Sequence, residues 1–329
     1  MKFLVVGCGS IGERHIRNLK LLSFDEIICC DLRTDLLSRM KRDYNVKGTY
    51  TDLEEALNQK IDAVLVCTPT SLHIPNALAA LEKGYHVFVE KPLSHDLEGV
   101  DELIEKADKK KLTIMVGFNL RFHPNLQKIK KLLDERRVGK VICARAQFGQ
   151  YLPSWHPKED YRKGHSAQRA LGGGVILDAI HELDYIRWFL GEVKEVSCFA
   201  GKLSNLQIDT EDVAEILLKF ENGTVAEVHM DYIQRAYSRS CQIIGDEGTI
   251  HWDFNEKTVK LFSAKDKKWW SFPEDTFDFN DTYVEEMKHF IRCITGKDRP
   301  PVDGKEGKKI LEIALAAKES AETRRIISL

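Results

Sequence analysis

Two short constellations in the chain carry reactive side chains in a useful order. Glu90-Lys91-Pro92 closes an apolar run that starts at His86, and Asp178 and His181 stand three residues apart just after Gly172-Gly173-Gly174. An ammonium group can hold a hydroxyl and stabilise negative charge developing on oxygen. An imidazole can take the hydroxyl proton, and a carboxylate can orient that imidazole and balance its cation. Such a set suits a secondary alcohol whose carbon gives up a hydride while its oxygen gives up a proton. Lys91, Asp178 and His181 are therefore the candidate catalytic residues. Alone, the first group reads better as a strand-end ion pair and the second as a packing hydrogen bond. A place for the hydride decides between those readings.

The start of the chain supplies that place. Lys2 to Val6 is apolar, Gly7-Cys8-Gly9-Ser10-Ile11-Gly12 follows, a helix-compatible stretch runs to Leu22, and a second apolar run from Ile27 ends on Asp31. Gly7 allows a tight turn, Gly9 lets backbone approach a pyrophosphate, and Gly12 lets helix and strand pack closely. The N–H groups of Ser10 and Ile11 then face the phosphates at a positive dipole end. Asp31, 19 residues after Gly12, is placed to accept hydrogen bonds from an adenosine ribose. An acid there favours NAD over NADP, while Arg33 two residues on leaves NADP open.

The elements that must position these groups are visible as periodicity. From Met1 to Phe118, apolar runs at 3–6, 27–30, 63–67, 86–89 and 113–116 alternate with helical stretches at 12–21, 34–44, 52–58, 71–83 and 96–109. Strands apolar on both faces and alternating with helices predict a parallel, doubly wound sheet. Ligands in such sheets sit at the carboxyl ends of the strands. That rule adds Cys67, Thr68, Pro69, His73, Glu90, Lys91 and Asn119 to the cofactor-binding candidates.

A second domain is expected over 119–329, with a connecting helix at 124–137 and a first strand at 141–150. The long segment Tyr151 to Arg169 carries Trp155, His156, Lys158, Tyr161, Arg162, Lys163, His165 and Arg169. Loops of this length are commonly functional, and this one reads as a substrate wall, with Arg121, Tyr151, Trp155, Arg162 and Arg169 as contacts beside Lys91, Asp178 and His181. Its cations tilt the substrate slightly toward an anionic one. Gly174 to Leu190 predicts one continuous helix, on which Asp178 and His181 project together. A metal at Asp178, His181, Glu182 and Asp184 is set aside, because these cannot all face one point on a regular helix. Beyond it, alternation at 214–220 and 226–232 around Asn222-Gly223 predicts a hairpin. Further strands are expected at 239–245, 249–254, 257–262 and 268–272, and helices at 281–295 and 304–324.

Composition narrows the partners. The 329 residues carry a net charge of −2, which offers no electrostatic reason for a nucleic acid or an anionic membrane. No apolar run reaches the roughly 20 residues of a membrane span. The first residues already form a strand, so no signal peptide is expected. Eight cysteines without a C-x-x-C pair or zinc spacing suggest reduced thiols in a cytoplasmic protein.

The Gly7–Gly12 turn, Asp31, Thr68-Pro69 and above all Glu90-Lys91-Pro92 resemble the Gfo/Idh/MocA family (glucose–fructose oxidoreductase, inositol dehydrogenase and MocA-like proteins). The resemblance continues through Gly172–Asp178, His181 and Asp184, with Asp178 and His181 one residue closer than the family's usual spacing. It implies an α/β plus α+β chain: a Rossmann domain, 1–118, then an open-faced, mostly antiparallel sheet with helices on one face. It also implies an NAD(P)-dependent oxidoreductase acting on a secondary alcohol or ketone of a sugar, sugar acid, cyclitol or nucleotide-sugar. The open sheet implies a homo-oligomer, a dimer or tetramer. Two alternatives share these motifs: a redox-neutral, NAD-dependent glycosidase or epimerase, and a non-catalytic dinucleotide sensor.

Overall fold

The computed structural model describes residues 1–155, 160–274 and 277–329; His156 and Lys158 of the long loop lie outside them. The chain forms two compact units, Met1–Asn119 with Phe279–Leu311, and Leu120–Asp278 with Glu312–Leu329. A continuous division into 1–118 and 119–329 does not contain that return of the chain to the first unit.

The elements run β1 (Phe3–Val6), α1 (Ser10–Leu21), β2 (Ile27–Cys30), α2 (Thr34–Tyr44), β3 (Gly48–Tyr50), α3 (Leu53–Leu57), β4 (Ala63–Val66), α4 (His73–Glu82), β5 (His86–Glu90), α5 (Val100–Lys110) and β6 (Ile114–Gly117). There follow α6 (Pro124–Asp134), β7 (Val141–Gly149), α7 (Val175–Asp178), α8 (His181–Leu190), β8 (Val193–Gly201), β9 (Val213–Phe220), β10 (Val225–Asp231), β11 (Ser238–Gly245), β12 (Gly248–Asp253), β13 (Thr258–Ser263) and β14 (Lys268–Pro273). The chain closes with α9 (Asn280–Ile294), α10 (Gly304–Thr323) and β15 (Ile327–Ser328).

In the first unit the strand order is β3-β2-β1-β4-β5-β6, all parallel. Every residue of β1, β2, β4 and β6 is buried, as a sheet covered on both faces demands. The order reverses between β1 and β4, the switch point at which such sheets hold ligands. Strand β3 escapes sequence reading because it is a three-residue edge strand with no buried position. Helix α9 completes this unit, with Phe290 edge-on to Phe88 at 5.6 Å and Tyr283 beneath the Arg14 guanidinium at 4.6 Å.

In the second unit the order is β14-β13-β12-β11-β7-β10-β9-β8-β15. Strands β7 and β10 pair in parallel and their neighbours pair antiparallel. The expected hairpin joins β9 to β10, with Gly223 at φ +87° in the turn. Along β9, Ala214, Ile216, Leu218 and Phe220 are buried while Glu215, Leu217 and Lys219 are exposed, so one face forms the core and the other is open. The predicted continuous helix over 174–190 is corrected: α7 ends at Asp178 and α8 begins at His181, with a turn through Ala179 and Ile180. Nearly every residue of that stretch is buried, so the apolar pattern could not show where the helix breaks.

Two ion pairs anchor α8 inside this unit. Glu182 accepts from Arg239 at 2.8 Å, with the guanidinium 4.6 Å from the Phe148 ring, and Asp184 accepts two bonds from Arg121 at 2.8 and 2.7 Å. Both acids lie in the helix's first turn, where the dipole favours negative charge. Because Glu182 is 0% exposed, Arg239→Met should leave a buried charge without its cation and lower the unfolding free energy by about 3–5 kcal/mol. A urea titration checks this: Glu182→Leu combined with Arg239→Met should recover much of the loss, and an unchanged midpoint for the single variant would contradict the account.

Candidate active site

The glycine turn has the geometry a diphosphate needs. Gly7 sits at φ +90°, and a Cβ there would lie 2.5 Å from the Cys67 carbonyl oxygen; at Gly12 it would lie 1.9 Å from the Gly7 oxygen. These two positions are closed to side chains. At Gly9 nothing lies within 4 Å of such a Cβ, so the backbone is open to a ligand. Helix α1 begins there with no side-chain cap, leaving its first N–H groups, those of Ser10 and Ile11 among them, for an anion. Asp31 is fixed by two backbone donors, Cys8 N at 2.6 Å and Arg33 N at 2.8 Å, and its oxygens keep lone pairs for a ribose. The Arg33 guanidinium lies on Asp35 at 2.9 Å. These residues fit NAD, and that pairing of Arg33 weighs against the 2′-phosphate of NADP.

Several strand-end candidates serve the first unit itself. His73 opens α4, and its ring bridges the Pro92 oxygen at 2.8 Å and the Thr68 oxygen at 2.9 Å. It ties the loop after β4 to the loop after β5. Thr68 Oγ1 accepts from Asn76 at 3.2 Å, and Cys67 is fully buried, its thiol pushed well above the usual range by that burial. The Asn119 amide donates to Thr282 at 2.7 Å inside the same unit. Glu90 is 6% exposed and meets His15 at 2.6 Å, while its other oxygen accepts the Lys91 N–H at 3.2 Å. It is a buried anchor behind Lys91. The Lys91-Pro92 bond is cis. Glu286 on α9 is fully buried, and neither of its oxygens has a hydrogen-bond partner among the described residues. Burial, and then the charge of Glu90, push its pKa well above the usual carboxylate range.

In the second unit the centre is Asp178. One carboxylate oxygen accepts from the Tyr232 hydroxyl at 2.5 Å, and the other lies 3.1 Å from His165 Nε2. Tyr232 is wholly buried, and burial followed by Asp178 itself raises its pKa far above the phenol value, so it stays a donor. The His165 side chain is 46% exposed. His181, 7% exposed, starts α8 three residues after Asp178. Neither His165 nor Tyr232 stood out as a site residue in the sequence. His165 was one loop cation among several, and Tyr232 one more member of an alternating strand. The available signal was positional, since Tyr232 directly follows the carboxyl end of β10.

The expected substrate wall is partly committed elsewhere. Arg121 is buried against Asp184 and stacked 4.6 Å from Trp188. Arg162 is held by Asp160 at 2.7 Å and Gln207 at 3.0 Å, and Arg169 lies 3.9 Å from Glu322. Trp155 packs edge-on against Tyr232 at 5.3 Å and donates its indole N–H to Gln150 O at 3.3 Å. Tyr151 lies beneath the Arg235 guanidinium at 3.7 Å.

A parallel Rossmann sheet with an open glycine turn and an acid fixed beside it, in one chain with an Asp-centred cluster on an open sheet, fits a nicotinamide-dependent oxidoreductase. Residues 1–118 match the oxidoreductase family's NAD-binding Rossmann fold, and residues 126–251 match the Gfo/Idh/MocA C-terminal domain. The chain is 33% identical to the myo-inositol 2-dehydrogenase of Thermotoga maritima over 100% of its own length and 98% of that protein's. It is 29% identical to the scyllo-inositol 2-dehydrogenase (NAD(+)) of Bacillus subtilis, covering 96% of this chain and 92% of that one. A levoglucosan dehydrogenase solved with NADH shares the fold, with a TM-score of 0.90 at 21% identity, covering 100% of this chain and 98% of that one. The chain belongs to the Gfo/Idh/MocA family of oxidoreductases.

The glycine geometry separates binding from folding. Gly9→Ala should fold within about 0.5 kcal/mol of the parent yet bind NADH more weakly, because its methyl occupies the phosphate approach. Gly12→Ala should cost about 1–3 kcal/mol as well as lose binding. Thermal melts with NADH calorimetry test the pair, and equal NADH affinity in Gly9→Ala would refute the cradle.

Proposed function

We propose that this enzyme transfers a hydride between NAD and a secondary alcohol of a polyhydroxylated, sugar-like substrate. The observation that carries the reading is the Gly7–Gly12 turn, open at Gly9 and backed by Asp31, in a chain that keeps Lys91, Asp178 and His181. The inositol and levoglucosan dehydrogenases it resembles support the substrate class.

NAD, when bound, supplies the hydride acceptor; the protein handles the oxygen and its proton. Lys91 holds the hydroxyl and stabilises negative charge on it. His181 takes the proton as general base. Asp178, oriented by the Tyr232 hydroxyl and the His165 ring, is the carboxylate that favours the imidazolium. Lys91→Ala should retain NADH affinity and lose about 10²–10⁴ in turnover, read as initial rates of NADH formation on a panel of cyclitols, sugars and sugar acids. Undiminished turnover would remove Lys91 from the mechanism. Substrate conversion without net NADH would favour the redox-neutral alternative, and tight NADH binding with no conversion would favour the sensor.

The open face of the second unit's sheet supports a homo-oligomer. Phe199 is 78% exposed and Leu217 59% exposed, on strands whose opposite face is core; exposed apolar surface of this kind marks interfaces. The eight cysteines are free thiols, which supports a cytoplasmic setting. Leu217→Arg should reduce the mass seen by light scattering while leaving the far-UV spectrum intact. An unchanged mass would place the interface elsewhere or deny it.

A further inference from the structure

Arg235 follows a turn that Asp231 holds rigid. One Asp231 oxygen accepts the N–H groups of Ile233 and Gln234, each at 2.7 Å; the other takes the Gln234 amide at 2.5 Å and the His229 ring at 2.9 Å. His229 also meets Glu215 at 2.7 Å, and the hydrogen bond to Asp231, with that to Glu215, lifts its pKa to about 9. The ring is therefore charged at neutral pH and clamps the turn. Arg235 then lies over Tyr151, its guanidinium carbon 3.7 Å from the ring centre.

Among the described residues, no acid pairs with this guanidinium. Arg162, Arg187 and Arg239 pair with Asp160, Glu192 and Glu182. Among the described residues, Arg235 has its stacking contact and no hydrogen bond or ion pair, and the Tyr151 hydroxyl has no protein partner. An exposed arginine is commonplace; its location is the second observation. Strands β7 and β10 run parallel and end side by side, Gly149 opposite Asp231. Tyr151 and Arg235 thus leave the sheet at the same edge as Tyr232, whose hydroxyl holds Asp178. Leu152 N donates to Tyr232 O at 3.0 Å, stitching the two segments together. Three residues of chain keep the Arg235 backbone within about 11 Å of Tyr232.

We propose that Arg235, laid on Tyr151, is the anion subsite of the substrate site, and that the substrate is a polyol bearing an anionic oxygen group, a carboxylate or a phosphate ester. Stacking fixes the plane of the guanidinium and leaves its edge donors for a bidentate oxyanion. The Tyr151 hydroxyl supplies one further donor. The proposal rests on the reading of Asp178 as part of the substrate site.

Calorimetry on the full chain with NADH tests it, using D-glucuronate, glucose 6-phosphate and D-glucose, with initial rates measured in parallel. At least one anion should bind about 10- to 100-fold more tightly than glucose, and which one identifies the group. Arg235→Met should abolish that preference and Arg235→Lys should retain part of it. Equal or undetectable binding of acid and neutral sugars, or a preference that survives Arg235→Met, overturns the subsite. An anion preference without NADH formation from any polyol would instead fail the dehydrogenase reading and leave the subsite standing.

Discussion

The second unit depends on one hydrogen bond, from the Tyr232 hydroxyl to the Asp178 carboxylate. It joins the end of β10 to the end of α7 across 54 residues of sequence, with both partners buried. A buried bond to a charged group is worth about 1.5–3 kcal/mol, and its loss would leave a carboxylate short of a donor. The bond also fixes which way Asp178 points, with its other oxygen 3.1 Å from His165 Nε2. The loop brings His165, and the glycines permit it. A Cβ at Gly173 would stand 2.2 Å from the His165 carbonyl oxygen, and one at Gly174, φ +114°, would stand 2.2 Å from the Glu211 carboxylate. Side chains there would push out the segment that carries His165 and the acid whose Oε1 accepts the Ile176 N–H at 3.3 Å. Gly173 and Gly174 are therefore a steric requirement of the Asp178 site.

The first unit uses glycine to another end. Gly7 and Gly12 bring helix and strand together so that Gly9 can remain open, and Asp31 is locked to the turn by the Cys8 N–H. Behind Lys91, Glu90 meets His15 at 2.6 Å and accepts the Lys91 N–H, so the backbone that carries the ammonium is tied to α1. Burial, and then the charge of Glu90, push the pKa of Glu286 upward in the same apolar environment.

What could be read from sequence was local. The Gly7–Gly12 turn, the strands buried on both faces and the Asn222-Gly223 hairpin each declare themselves within a dozen residues, and each stands where expected. What could not be read needs distant parts of the chain. The His73 ring is held by backbone carbonyls at 68 and 92, which carry no side-chain signature. Helix α9 joins a sheet formed more than 160 residues earlier. The break at Ala179 and Ile180 lies in a stretch so uniformly buried that no periodicity marks it.

Charge is the case where composition misleads most directly. The loop from Tyr151 to Arg169 reads as cationic because its lysines, arginines and histidines can be counted. Counting ignores pairing: Asp160 takes up Arg162, and Glu322, far away in sequence, lies 3.9 Å from Arg169. A paired guanidinium offers a ligand little, since binding an anion would first break bonds already made. The chemically available cation is the one that folding leaves without an acid and holds in a fixed plane. Arg235 meets both conditions, and nothing in its own neighbourhood of sequence, Gln234-Arg235-Ala236, distinguishes it from a surface residue. Its meaning comes from the parallel pairing of β7 with β10, which brings Tyr151 beneath it.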